Sequence, residues 1–390
     1  MTTSQQAGTA LAAAPGARDL TAPGDVLVVE GLTCELPSPA GMVRPVDNVS
    51  FRLGHSKTLG IVGESGAGKS MLVRAMLGIS PASATVSGKV ILDGVDIRTL
   101  PKKEHRHKLG AGISLIFQDP ITSLNPVVPI GRQITEGMRF HHGLDRAEAR
   151  DRAIELLRQV GISEPEKRFR QYPHQLSGGM RQRVTIAAAL GCDPQVLIAD
   201  EATTALDVTV QKQILDLLGQ IQAERKMSVI IITHDLGIVA GRTNDLVVMY
   251  AGQVVEKGPT RRLFKMNRNR YTAALLEAMP DLENETHAKM NTIPGQPPRL
   301  TGLGARGCRF APRCSAAEDD CRASDPELLA DPTSEVHLFR CFHPVESAAT
   351  ANGGTPAAEA AEGVGGAGSG VGGAGSGVGG AGGAVSEGQG

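Results

Sequence analysis

Apolar positions along the chain come in two alternating textures: short unbroken runs, and longer stretches with a 3.6-residue repeat. Runs at 26–29, 46–53, 58–62, 86–92, 113–117, 196–199, 229–232, 246–250 and 254–256 are bounded by turn residues and predict strands. The 229–232 run is four consecutive β-branched residues, the pattern of a strand buried on both faces in a parallel sheet. Helical periodicity covers 71–77, 130–141, 146–160, 184–190, 210–223 and 263–279. Residues 102–108, KKEHRHK, have no apolar stripe and read as a solvated face. The Pro-rich stretch 120–129 reads as irregular. Strands alternating with helices predict an α/β fold built on a mostly parallel sheet.

One strand-to-helix junction carries the first chemistry. Gly63-Glu64-Ser65-Gly66-Ala67-Gly68-Lys69-Ser70 fits the phosphate-binding loop G-x-x-x-x-G-K-[ST], with a predicted strand before it and a helix after it. Its glycines let successive N–H groups converge on one anion, and the helix N-terminus adds positive potential. Lys69 is expected to reach the β- and γ-phosphates of ATP, and the Ser70 hydroxyl to hold Mg²⁺.

Five later segments narrow the class. Leu176-Ser177-Gly178-Gly179-Met180 opens a helix and forms a second anion nest. It lies too far along the chain to belong to the first loop, so the nucleotide is expected to be sandwiched between two chains. The 196–199 strand ends in Asp200-Glu201, placing Asp200 to support Mg²⁺ and Glu201 to polarise the attacking water as general base. Ala205-Leu206-Asp207 reads as a tight turn suited to a subunit contact. His234 ends the next strand, where it can meet the γ-phosphate, and Gln118 ends an earlier one, where it can sense Mg²⁺ and water.

In this order these motifs resemble those of the ATP-binding-cassette ATPases, over residues 26–260. IFQDPITSLNP at 116–126, YPHQLSGGMRQRVTIAAAL at 172–190, ADEATTALDVTVQKQIL at 199–215, VVMYAGQVVE at 247–256, YTAALL at 271–276 and IPGQPP at 293–298 are similar to the ATPase subunits of dipeptide, oligopeptide and nickel importers. The resemblance implies a P-loop core with an antiparallel β subdomain and a helical subdomain at about 119–190. It also implies a head-to-tail pair of ATPases, the second a related but different chain. The pair would drive two membrane permeases at the cytoplasmic face of the membrane, fed by an extracytoplasmic solute-binding protein. Two positions depart from the family. Ala202 stands where Asp-Glu-Pro is usual, and residues 1–50 hold no aromatic to stack on adenine, leaving aliphatic contacts near Leu36, or Arg44.

Cysteine usage adds a module. Cys308, Cys314, Cys321 and Cys341 are spaced C-x5-C-x6-C-x19-C in otherwise loop-like sequence, suggesting a metal site that staples a region too small for a good core. Zinc usually uses a close C-x2-C pair, absent here, whereas a four-thiolate iron–sulfur cluster tolerates longer spacing. The segment GCRFAPRC at 307–314 resembles those that carry a [4Fe–4S] cluster; zinc and reduced thiols stand as alternatives, with His337 and His343 as substitute ligands. Cys34 and Cys192 are isolated and read as core residues.

Charge and hydropathy act as exclusions. With 40 basic and 41 acidic side chains the net charge is −1, so no overall basic field argues for nucleic acid, although repair ATPases with Cys-rich modules are the rival class. No apolar run is long enough to span a bilayer. The expected organisation is a tail at 1–24, a nucleotide-binding domain at 25–262, an extension at 263–346 and a Gly/Ala/Ser tail at 347–390 that repeats VGGAGSG.

Overall fold

The computed structural model describes residues 24–202, 207–279, 292–298 and 307–346; both expected tails lie outside these, apart from Gly24. Within them the strands are β1 (Asp25–Ser38), β2 (Gly41–Gly54), β3 (Thr58–Val62), β4 (Thr85–Leu92), β5 (Val95–Asp96) and β6 (Ile113–Ile116), then β7 (Val196–Asp200), β8 (Ser228–Thr233), β9 (Asp245–Tyr250), β10 (Gln253–Pro259), β11 (Leu329–Asp331) and β12 (Ser334–Phe339). They form a four-stranded antiparallel sheet, β2-β1-β4-β5, and an eight-stranded mixed sheet, β11-β12-β10-β9-β3-β8-β7-β6. The run β9-β3-β8-β7-β6 is parallel, as the uninterrupted apolar strands require.

Alternation along these strands builds two cores, because successive side chains leave a strand on opposite faces. Ile61, Ile198, Ile230 and Ile232 pack toward the four-stranded sheet and the Lys69–Met76 helix. Val62, Leu197, Ala199, Val229 and Ile231 pack toward the helices Ile130–His142, Arg146–Gln159, Gly178–Leu190 and Val208–Arg225. Cys34 and Cys192 are buried, and burial raises both thiols, Cys192 to about 11. The Lys102–Ala111 helix buries nothing, as its charge pattern implies.

Three elements differ from the sequence reading for identifiable reasons. β1 runs nine residues beyond the apolar run, across an irregularity between Val29 and Leu32, and its second half alternates Leu32 and Cys34 inward with Thr33 and Glu35 outward. The expected helix 263–279 is two, Thr260–Met266 and Arg270–Glu277. It breaks because the N–H groups of Arg268 and Asn269 turn to the buried Glu256 carboxylate at 2.6 and 3.2 Å, and Asn269 then caps the second helix through Tyr271 N–H at 2.9 Å. Finally, Pro120–Ser123, read as irregular, closes one helical turn through Ser123 N–H to Asp119 O at 3.2 Å, with Pro120 in the first turn, where its missing N–H costs nothing.

The extension docks on the core through the sheet. β12 pairs antiparallel with β10, and His337 Nε2 meets Glu256 at 2.7 Å in a site with no exposed surface. Arg262 Nε donates to His337 Nδ1 at 3.1 Å, so the ring proton sits on Nε2 and points at the carboxylate. The helical subdomain also gathers Arg132, Arg139, Arg146, Arg150 and Arg170 around one concave pocket, a local basic field that the net charge conceals.

Candidate active site

Five of the predicted positions meet at the C-terminal edge of the parallel strands, where an open α/β sheet places its ligands. The phosphate loop follows β3, Gln118 lies two residues beyond β6, Asp200 ends β7 with Glu201 next, and His234 follows β8. The loop needs glycine at two points. A Cβ on Gly63 would collide with the Met249 carbonyl, and one on Gly68, whose φ is +99°, with the Pro45 carbonyl. Gly68 then starts the Lys69–Met76 helix, so Lys69 and Ser70 leave from its first turn beside free amide N–H groups.

Lys69 is 4% exposed, and its ammonium donates to the carbonyls of Gly63 at 2.7 Å and Glu64 at 3.1 Å, with Glu201 at 3.6 Å. Burial lowers its pKa from the ordinary lysine value, against the opposing pull of Glu201, Asp200 and Glu64. Ser70 Oγ lies 3.4 Å from Asp200 Oδ1, a pair of hard oxygens of the kind Mg²⁺ takes. Burial also raises the Asp200 carboxyl, helped by Glu201 and opposed by the Ser70 hydrogen bond and Lys69.

Glu201 is the hub. Gln118 Nε2 donates to its Oε2 at 2.6 Å, and His234 Nδ1 lies 3.5 Å from its Oε1. Its backbone has φ +45°, a left-handed conformation that costs a non-glycine residue about 1–2 kcal/mol, and it is held there by an N–H bond to Ile232 O at 2.9 Å. Ala202, where the family has proline, is buried.

The second nest does not join this cluster. Ser177 Oγ accepts from Met180 N–H at 3.3 Å, and the hydrogen bonds of 176–180 are local, none reaching 63–70. Ser177 and Gly178 are exposed. Asp207 caps the Val208–Arg225 helix through Val210 N–H at 2.9 Å; Ala205 and Leu206 lie outside the described residues. Near the expected adenine position, Leu36 and Val43 are cross-strand partners, and Arg44 is bound to Glu35 at 2.6 Å and Asp47 at 3.1 Å.

The four distant cysteines line one pocket with Tyr250, Phe310 and His343. All are free thiols, and Cys308 N–H donates to Cys321 O at 2.7 Å. Burial pushes the Cys308 thiol up to about 11, although the backbone of Phe310 and Ala311 hydrogen-bonds to it; the backbone of His343 and Arg270 does the same for Cys341. His337 is committed to Glu256, and His343 Nε2 meets Asp320 at 2.9 Å. Asp320, Cys321 and His343 bring ligand atoms within 4.8 Å of one another, a grouping the spacing of cysteines alone does not suggest.

Sequence reasoning also missed Arg313. Its guanidinium pairs with both oxygens of Glu64 inside the phosphate loop, at 2.6 and 2.9 Å. Nothing local in GCRFAPRC announces this contact, which joins positions 249 residues apart.

The family profile described as ABC transporter matches residues 46–204, and that described as oligopeptide/dipeptide transporter, C-terminal region, matches 255–321. An oligopeptide transport ATP-binding protein of Salmonella typhimurium is 44% identical over 325 residues, covering 83% of this chain and 96% of that one. A dipeptide transport ATP-binding protein of Escherichia coli K12 is 43% identical over 326 residues, covering 83% and 98%. Among solved structures, a dimeric ATP-binding cassette in a post-hydrolysis state with ADP and Pi superposes with a TM-score of 0.54 at 26% identity, covering 60% of this chain and 99% of that one. An ABC transporter subunit from Clostridium perfringens gives 0.52 at 29%, covering 62% and 92%.

Proposed function

The chain belongs to the ABC transporter ATPases, in the branch with the oligopeptide/dipeptide C-terminal region, and from that premise we propose that it hydrolyses ATP to energise peptide import. The observation that carries the chemistry is the convergence of Lys69, Ser70, Asp200, Glu201, Gln118 and His234 at one sheet edge.

The loop amides and Lys69 bind the β- and γ-phosphates, replacing the carbonyls that Lys69 now holds. Ser70, Asp200 and Gln118 are the residues placed to hold Mg²⁺, which when bound neutralises charge developing on the phosphates. Glu201, fixed from both sides, polarises the attacking water, and His234 orients the γ-phosphate. The Ser177–Gly179 nest, exposed at Ser177 and Gly178, closes on nucleotide held by a second ATPase subunit, a related chain. Two membrane permeases and an extracytoplasmic solute-binding protein complete the transporter. None of the described helices is long and apolar enough to cross a membrane, which fits a peripheral subunit docked on permeases at the cytoplasmic face.

The Cys308–Cys314–Cys321–Cys341 pocket suits a [4Fe–4S] cluster better than zinc. Four thiolates around one zinc lie roughly 3.8 Å apart, given Zn–S bonds of about 2.3 Å. No three of these sulfurs share a spacing of 4.8 Å or less, and backbone hydrogen bonds to two of them are the kind that tune cluster sulfurs.

The test is complementation. In cells lacking this chain, uptake of a labelled oligopeptide should stop, return with the wild-type chain and fail with Glu201→Gln, while ⁶³Ni uptake is unaffected. Loss of nickel uptake with peptide uptake intact would overturn the peptide assignment.

A further inference from the structure

We infer that Arg313 is a positioning residue for the phosphate loop: delivered from the cysteine module, it fixes Glu64 and with it the backbone that holds Lys69. The inference rests on the ATPase reading above.

The arginine side chain is 4% exposed, and its five N–H donors are all used. Nη1 donates to Glu64 Oε2 at 2.6 Å and to Tyr250 Oη at 3.3 Å. Nη2 donates to Glu64 Oε1 at 2.9 Å and to Ile293 O at 3.4 Å, and Nε to Pro294 O at 2.8 Å. The fork matches the carboxylate in the bidentate geometry that fixes orientation as well as distance. A second anchor comes from the same part of the chain, since Glu64 N–H donates to Tyr271 Oη at 2.9 Å. Glu64 is thus held by side chain and backbone alike, both times by residues beyond 262.

What Glu64 does next makes this more than a staple. Its carbonyl accepts from Lys69 Nζ at 3.1 Å and from Ala67 N–H at 3.1 Å, so its position sets both the turn of the loop and the resting place of the phosphate-binding ammonium. A clamp whose only task was to attach the extension could end on any surface carboxylate. This one ends on the loop residue that shapes the nucleotide site. Arg313 also sits directly before Cys314, so the module and the catalytic loop share one short rigid connection.

The loop contacts phosphate in the ground state as well as the transition state, so loosening it weakens binding more than turnover at saturation. Binding of a fluorescent ATP analogue to the full chain, and steady-state hydrolysis by that chain in the assembled transporter, would be measured for wild type, Arg313→Gln, Arg313→Lys, Glu64→Gln and the double glutamine variant. Each single glutamine variant should raise KM for ATP and weaken analogue binding about ten- to hundredfold, the scale of losing a hydrogen bond to a charged group. Turnover at saturation should stay within about threefold. The double variant should be no worse than the worse single one, and Arg313→Lys should recover part of the loss. Should Arg313→Gln fail to fold, Glu64→Gln, which keeps shape and one acceptor oxygen, decides alone. An unchanged KM in a folded variant, a fall in kcat with KM constant, or additive effects would overturn the clamp while an active wild type leaves the ATPase reading standing. A wild type with no affinity for nucleotide would overturn both.

Discussion

Asp200 and Lys69 are both buried with shifts that disfavour their charged forms, so gathering them at one site costs stability. The sign for Asp200 follows from its raised folded pKa: below the ordinary carboxyl value of 3.8 both states are neutral and nothing is lost, and as pH rises through the folded value the buried charge becomes a penalty. Asp200→Asn should therefore raise Tm of the nucleotide-free chain at pH 7 by about 1–3 °C, the scale of roughly 1 kcal/mol in a large domain. The gain should shrink toward pH 4, while Mg²⁺-dependent hydrolysis disappears. Calorimetry across that range checks it, and a lower Tm at pH 7 would show that Asp200 is net stabilising. Glu201→Gln removes the base but keeps the Gln118 contact possible, so ATP binding should persist while phosphate release slows about 10²–10⁴-fold. Residues such as these were legible because their spacing alone implies the chemistry. Arg313 was not, because a contact from position 313 to position 64 is a property of the folded chain, and no local pattern encodes it.

At the scale of elements, apolar runs located every parallel strand, since a strand buried on both faces must be continuously apolar. Periodicity failed where a tertiary group captured the backbone. The buried Glu256 carboxylate draws off two N–H groups and splits a helix that the sequence writes as one, a break that residues 267–269 do not announce by themselves. The same carboxylate ties β12 to β10 through His337. His337→Ala leaves Glu256 short of a donor and opens a void, so it should cost about 2–4 kcal/mol. The loss should be felt first in the extension, as faster limited proteolysis within 307–346 with cleavage elsewhere unchanged. Uniform loosening of the whole chain would show instead that this pair serves the core. The cysteine pocket makes a parallel claim: anaerobic purification should yield a brown protein with iron and sulfide in equal amounts, and Cys314→Ser should lose both. A colourless chain holding stoichiometric zinc would reject the cluster.

For the molecule as a whole, the decisive geometry is a separation. Lys69, Asp200 and Glu201 form one cluster, whereas the Ser177 nest is exposed, capped only by its own helix, and bonded to none of that cluster. On the proposed reading, this helix start is half of an anion site that nucleotide held on a second ATPase subunit completes. The two halves therefore answer differently to mutation. Lys69→Ala strikes the half that binds phosphate within the chain, and should abolish nucleotide affinity in the isolated protein. Ser177→Arg strikes the half that is completed across an interface. It should leave the isolated chain's affinity within about twofold of wild type, yet slow hydrolysis in the assembled transporter about 10²–10³-fold, the scale for losing a donor from a charge-stabilising site. Hydrolysis per chain should also rise with concentration until the ATPase subunits are paired. Full activity from a strictly monomeric Ser177→Arg preparation would mean that the nest is an ordinary helix start and that one chain suffices.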